Sequence, residues 1–279
     1  MIGVPAEIIG HYVRTRGVRK GIQQWAKRAY LRKTTDHSGE NIFTENWDVL
    51  IILDACRPDM LRDLSDEYSW IEHVETRRSV GTATKHWMEK TFSMTKRDTL
   101  QQTAYICANP FSGHLLDAEQ FSHLDEVWKW GWDDREGTVP PRPVTDAAIS
   151  VAREQNPEQL LVHYMQPHTP FLESDKSPRL TLQNFTGSGS RPLDDWELIE
   201  MGERTASSVN EDYKTNLQVV LDEVELLREN VNAERMVITS DHGNAIGERG
   251  LYGHPGGVSI PALYEVPWFE TSATDKDTH

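Results

Sequence analysis

Cysteine is nearly absent from this 279-residue sequence, which carries only Cys56 and Cys107. Two thiols cannot build a disulfide framework or a multi-cysteine zinc site. Long apolar runs are missing as well: nothing approaches the roughly 20 consecutive apolar residues of a membrane-spanning helix. The first residues also lack the charged, apolar and small-residue sections of a secretory signal. Together these absences lead us to expect a cytoplasmic protein, with association at a membrane surface as the alternative. Lysine is scarce, ten residues against 19 arginines and 44 acidic side chains. Acidic excess with little lysine resembles adaptation to high salt.

The charge is unevenly spread. Net charge is −15, yet residues 1–33 hold eight basic side chains against Glu7 alone, so that segment carries +7 and the remainder −22. A body this acidic repels polyanions, and nucleic acid is excluded as the expected partner. Residues 1–40 read as a basic, amphipathic helical arm. Within 6–33, Ile9, Val13, Ile22, Trp25 and Ala26 form an apolar stripe at approximate helical spacing. Such a segment suits peripheral contact with an anionic membrane, docking on a partner, or packing on its own domain. Residues 41–270 are long enough for one large α/β domain, and the polar tail 271–279 is expected to fray.

Asp48-Val-Leu-Ile-Ile-Leu53 is a continuous apolar run, the pattern of a strand buried on both faces of a parallel sheet. Thr103–Cys107, Leu160–Tyr164 and Arg235–Thr239 read as further strands. Helical periodicity covers a segment through Met60, Leu61 and Leu64, then Val144–Gln155 and about Ser207–Asn230. Strands alternating with helices predict an α/β fold with a largely parallel central sheet flanked by helices. Segments 128–143 and 174–193 look like loops, the second a candidate lid. Trp128, Trp130 and Trp132 could stack on a sugar, or simply pack their loop onto the domain.

Residues with chemistry gather where strands end, as ligands do in such sheets. Asp241 and His242 follow one apolar strand, and His254 returns from a glycine-rich loop. Carboxylate plus imidazole suits Zn²⁺ or Mn²⁺ better than an all-oxygen calcium cage. The segment Ser240-Asp-His-Gly243, followed by Gly247-Glu248 and Gly253-His254, resembles the C-terminal metal motif of the alkaline phosphatase and sulfatase superfamily. Three further segments match in order. Asp54 ends the first strand, His163-Tyr-Met-Gln-Pro-His-Thr-Pro170 follows a central strand, and a Tyr-bearing helix spans Tyr213–Leu227. The resemblance covers about 46–269, including the exit segment Glu265-Val-Pro-Trp268.

What the resemblance implies is a metal-dependent hydrolase or transferase of phosphate or sulfate esters; the basic arm, by placing it near anionic lipid or glycolipid, favours a glycoconjugate substrate. One divalent cation (Zn, Mn or Ca) would be held by Asp54, Asp241, His242 and the nucleophile. His254, with His163 or His168, would hold a second ion or grip the transferred group's oxygens. The nucleophile is expected in Arg78-Ser-Val-Gly-Thr-Ala-Thr-Lys-His-Trp87 at a helix N-terminus, whose amides favour anions. Thr82, directly after Gly81, is the first choice, then Thr84, then Ser79. Cys56-Arg-Pro58 begins like the sulfatase formylglycine sequence, but Met60 replaces the required arginine. That departure favours phosphate chemistry and leaves Cys56 structural. Arg57 and Lys85 are candidate oxyanion contacts, with a solvated charge as the alternative. Two rival functions remain: a catalytically silent, metal-binding relative that docks a partner, and a phosphomutase.

Overall fold

In the computed structural model of the chain, residues 38–186, 192–255 and 257–279 are described, together with Gly17, Ile22, Ala26 and Leu31. The amphipathic reading of 6–33 therefore lies outside the described residues, apart from Gly17, Ile22, Ala26 and Leu31. Leu31, just before the end of the arm, is buried against Ala245, Leu251, Val258, Ile260 and Leu263. Among the described residues, no helix is long and apolar enough to cross a membrane.

Seven strands form the main sheet: β1 (Val49–Asp54), β2 (Glu75–Arg78), β3 (Thr103–Cys107), β4 (His123–Glu126), β5 (Gln159–Pro167), β6 (Ala233–Thr239) and β9 (Glu265–Ala273), in the order β2-β9-β6-β1-β5-β3-β4. Strands β4, β3, β5, β1 and β6 run parallel, whereas β9 is antiparallel to β6 and to β2. A separate two-stranded ribbon pairs β7 (Ala245–Ile246) with β8 (Tyr252–Gly253). Described helices of seven or more residues are α1 (Pro58–Leu64), α2 (Thr84–Met94), α3 (Pro141–Gln155), α4 (Asp195–Met201) and α5 (Ala206–Arg228).

The period-two alternation of a strand decides which side chains meet which helix. Along β1, Val49, Ile51 and Leu53 face a core shared with Leu61, Val144, Ala148, Leu217, Leu221 and Val224. Leu50 and Ile52 face the opposite core, built with Trp87, Met88, Phe92 and Tyr105. By the same alternation Asp54 falls on the face covered by α2. His163 follows Leu161 onto that face, where its ring meets Trp87 edge-on at 5.4 Å. Strand β1 sits centrally, with β5 on one side and β6 on the other, so the C-terminal ends of these three strands open one crevice.

Two differences from the sequence-based expectation have physical causes. The polar tail does not fray. Asn230 Oδ1 accepts the Thr278 and His279 amides at 2.9 Å each, and Arg153 grips Asp275 at 2.8 Å. Within the loop expected over 174–193 there is a helical turn at Gln183–Thr186, and α4 begins just beyond it. Leu221 lies on α5 and is fully buried in the core shared with β1. Leu221→Ala leaves a cavity and should lower unfolding stability by about 2–5 kcal/mol in a urea titration.

Candidate active site

The turn after β1 sets the geometry. Ala55 adopts φ +62°, a left-handed conformation unusual for a residue with a Cβ. It is clamped on both sides: its amide donates to Asp241 Oδ1 at 3.1 Å, and its carbonyl accepts from the Tyr213 hydroxyl on α5. The next amide, Cys56, donates to Ser240 Oγ at 2.9 Å. Strand end and β6 loop are thus bonded directly, which brings Asp54 and Asp241 together. Beside them the β1–β5 register slips, the partner of Leu53 being Tyr164 and that of Asp54 being Pro167. An irregularity of this kind re-aims side chains at a sheet's rim.

Five elements converge here. Thr84 Oγ, at the first position of α2, lies 3.3 Å from Asp54 Oδ2 and 3.3 Å from His242 Nε2. His242 Nε2 is in turn 3.5 Å from Asp54 Oδ1 and 3.4 Å from Asp241 Oδ2. The other ring nitrogen, Nδ1, is 2.8 Å from the Gly243 carbonyl, so Nδ1 carries the proton and Nε2 offers its lone pair to the site. Asn109, just past β3, donates to Asp54 Oδ2 at 3.0 Å. Gly81 permits the approach of α2, since a Cβ there would stand 2.7 Å from the Trp87 backbone.

Three buried atoms at the centre have no hydrogen-bond partner: Asp54 Oδ1, Asp241 Oδ2 and His163 Nε2. Asp54, His163 and Asp241 each offer a ligand atom within 4.8 Å of the others. Buried orphans of this kind are costly. Three lone-pair groups aimed at one point fit a cation, and the mixed oxygen and nitrogen donors suit a divalent transition metal.

Electrostatics agree. Burial drives the Asp54 carboxyl well above the usual carboxylate range, the neighbouring Asp241 charge adding to it against hydrogen bonds from Asn109 and Thr84. Asp241 is equally buried, but His242 and His163 outweigh that and hold it below its ordinary value. Two adjacent carboxylates in a dry site do not both ionise alone. Without a cation, Asp54 keeps the proton that a metal would displace.

The sequence candidates distribute as follows. Asp54, Asp241, His242 and Thr84 meet directly, and His163 lies at the same centre, its Nδ1 2.8 Å from the Tyr105 hydroxyl. His168 and His254 form a second pair, with Nε2 atoms 2.8 Å apart and the His254 ring 4.6 Å from that of His242. Thr82 is buried, its hydroxyl unpartnered, and no bond links it to Asp54. Ser79 is bonded to the Asp241 carbonyl. Arg57 has other partners than an ester: Asp59 at 2.7 Å, Glu248 at 2.7 Å and the Asn244 carbonyl at 2.6 Å engage all three of its nitrogens. It braces α1 against the loop after His242. Burial also pushes the Cys56 thiol far up, so that it stays protonated. Asn109 and Tyr105 escaped sequence reasoning, although both occupy or follow the apolar strand β3.

Burial lowers the His163 pKa from 6.5 to about 4, with Asp241 opposing and His242 assisting. The unfolded chain therefore binds more protons between those values, and stability contributed by neutral His163 is present above 6.5 and lost as pH falls through 4. In metal-free protein the urea midpoint should decline across this window. His163→Gln, which keeps an acceptor for Tyr105, should make the decline shallower; an identical profile would contradict the assignment.

No protein-family profile and no curated protein matches the sequence. Solved structures do. The soluble domain of lipooligosaccharide phosphoethanolamine transferase A from Neisseria meningitidis matches with TM-score 0.56 and 17% identity, over 83% of this chain and 77% of that one. The integral membrane form of that transferase matches with TM-score 0.57 and 16% identity; it covers 99% of this chain, which spans only 56% of its length. A putative sulfatase from Bacteroides thetaiotaomicron gives TM-score 0.50 at 10% identity, covering 80% of this chain and 64% of that chain. At these identities the likeness concerns the fold. The chain therefore shares with a phosphoethanolamine transferase and a sulfatase the fold of a mostly parallel sheet flanked by helices.

Proposed function

We propose that the chain is a metal-dependent enzyme that transfers or hydrolyses a phosphate ester, or a sulfate ester, through a covalent intermediate on Thr84. The observation that carries this reading is the Thr84 hydroxyl, 3.3 Å from both Asp54 and His242, at the N-terminus of an 11-residue helix. Thr82, favoured by its place after Gly81, has no comparable contact.

Asp54, Asp241 and His242 would hold a divalent cation, which supplies the positive charge that activates a hydroxyl and offsets charge on the ester's non-bridging oxygens. His163 stands ready at the same centre as a further donor. The amides of the first turn of α2 orient the anionic group. Thr84 Oγ attacks phosphorus, an Oγ–P bond forms, and the P–O bond to the leaving alcohol breaks with its electron pair. The Thr84 proton passes to Asp54 Oδ2 at 3.3 Å, because the lone pair of His242 Nε2, equally close, would be on the cation. An acceptor alcohol or water then attacks the same phosphorus and returns the electron pair to Oγ. His168 and His254 flank this centre and would grip the transferred group's oxygens or hold a second ion.

Phosphate is favoured over sulfate because Cys56 is buried, stays protonated and lacks the arginine of the sulfatase sequence. The phosphoethanolamine transferases among the structural neighbours support transfer to an acceptor hydroxyl. The +7 segment at residues 1–33 would draw the enzyme to anionic lipid, where a glycoconjugate substrate is at hand.

On a panel of aryl phosphate, phosphodiester and sulfate substrates, Thr84→Ala should lower kcat by about a thousandfold or more, whereas Thr82→Ala should change it by less than about tenfold. Peptide mapping after a quench should find the adduct on Thr84. Full activity in Thr84→Ala would sink the assignment. Asp241→Asn and chelation should each abolish turnover, and only the chelated enzyme should recover when Zn²⁺ or Mn²⁺ is returned. Bound metal without turnover of any ester would instead favour a silent metal-binding protein.

A further inference from the structure

His168 and His254 come from loops 86 residues apart, yet their Nε2 atoms lie at 2.8 Å. Side chains on loops hold such a spacing only when something packed and hydrogen-bonded fixes both. The short helix α4 touches each loop at the residue adjoining its histidine. Asp195, its first residue, is fully buried. Its carboxylate accepts from the Thr169 hydroxyl, next to His168, and from Ser177 Oγ at 2.6 Å. Arg204 pairs with the same carboxylate and with Asp212, which itself accepts from Ser174 Oγ at 2.6 Å. The whole turn from Thr169 to Ser177 is thereby tied to α4 and the start of α5.

The following residue, Trp196, meets the other loop. It lies against Gly253, immediately before His254, so closely that a Cβ there would stand 3.3 Å from three Trp196 atoms. Gly253 also has φ +71°, which favours glycine independently. The indole also meets Phe171 at 6.2 Å and Tyr213 at 5.5 Å, both near-perpendicular. Consecutive residues of one helix therefore hold the chain neighbours of both histidines. Buried ion clusters stabilise little against apolar packing of the same volume. What the Asp195–Arg204–Asp212 cluster supplies is direction, because its hydrogen bonds tolerate one placement of the Thr169–Ser177 turn.

We infer that Asp195 and Trp196 are positioning residues that set the His168–His254 spacing, and with it the grip on the transferred group. This deepens the reading of the site given above and rests on it for the catalytic consequence.

The test uses Trp196→Phe, the milder Thr169→Val, His254→Ala, and the Trp196→Phe/His254→Ala double variant, each checked for cooperative thermal unfolding. Ring-nitrogen NMR of the metal-free protein should show the His168 and His254 signals displaced in both positioning variants, with His163, bonded to Tyr105, unmoved. On the best ester of the panel, Trp196→Phe should lower kcat/KM by about 10–100-fold, as loss of an outer support for a site ligand does. The double variant should be no worse than His254→Ala alone, because Trp196 acts through that histidine. Unmoved His168 and His254 signals, or losses that add, would overturn the inference. Should Trp196→Phe fail to fold, Thr169→Val decides by the displacement of the His168 and His254 signals. A wild-type protein inactive on every ester would remove the enzymatic reading alone, since the NMR comparison still decides whether α4 positions the pair.

Discussion

Two carboxylates, Asp54 and Asp241, are pressed together at the rim of the sheet, each almost wholly withdrawn from water. Such a pair repels itself, and a protein keeps one only if a proton or a cation sits between. The chain does not avoid the arrangement; it enforces it. The Ala55 amide is aimed at Asp241, and the left-handed turn that aims it costs roughly 1 kcal/mol for a residue with a Cβ. Tyr213 holds the other side of that turn from a helix more than 150 residues away. Strain and buried like charge at one point mark a site built for something other than stability.

The remaining architecture serves that point. Strand alternation puts Asp54 and His163 on the face covered by α2, so the helix that packs Trp87 and Met88 into the core also delivers Thr84 to the carboxylate. Gly81 lets the helix come close, and the Gly243 carbonyl sets the His242 tautomer. Around this centre lies a ring of braces: Arg57 with Asp59 and Glu248 below one loop, Asp195 and Trp196 below two others. The loops around this centre are therefore individually irregular but jointly fixed.

Much of this was legible in the sequence, for a definite reason. The four apolar runs stand out because β1, β3, β5 and β6 are buried on both faces, and the Asp and His residues directly past them fall at the crevice by topology. Strands β2 and β4 are only partly buried, so no clean period reveals them, and β9 carries Pro267 and polar residues at its end. Which of Thr82 and Thr84 lies at the first position of α2 depends on where that helix begins. Its N-cap, Ala83, has no side-chain signal, so periodicity leaves the first turn undetermined. Arg57 illustrates the complementary limit: two of its partners, Asn244 and Glu248, lie 187 and 191 residues away, and no local pattern shows that they occupy its donors. The order of the tail depends in the same way on distant Asn230 and Arg153.

The central claim is that Asp54, Asp241 and His242 share a cation next to the Thr84 hydroxyl. Anomalous diffraction at the zinc and manganese edges, from crystals grown with each metal, tests it most directly. A peak roughly 2.0–2.2 Å from a carboxylate oxygen of residues 54 and 241 and from the 242 imidazole nitrogen is the predicted result. A cation bound only elsewhere, with the two carboxylates still sharing a proton, would contradict it.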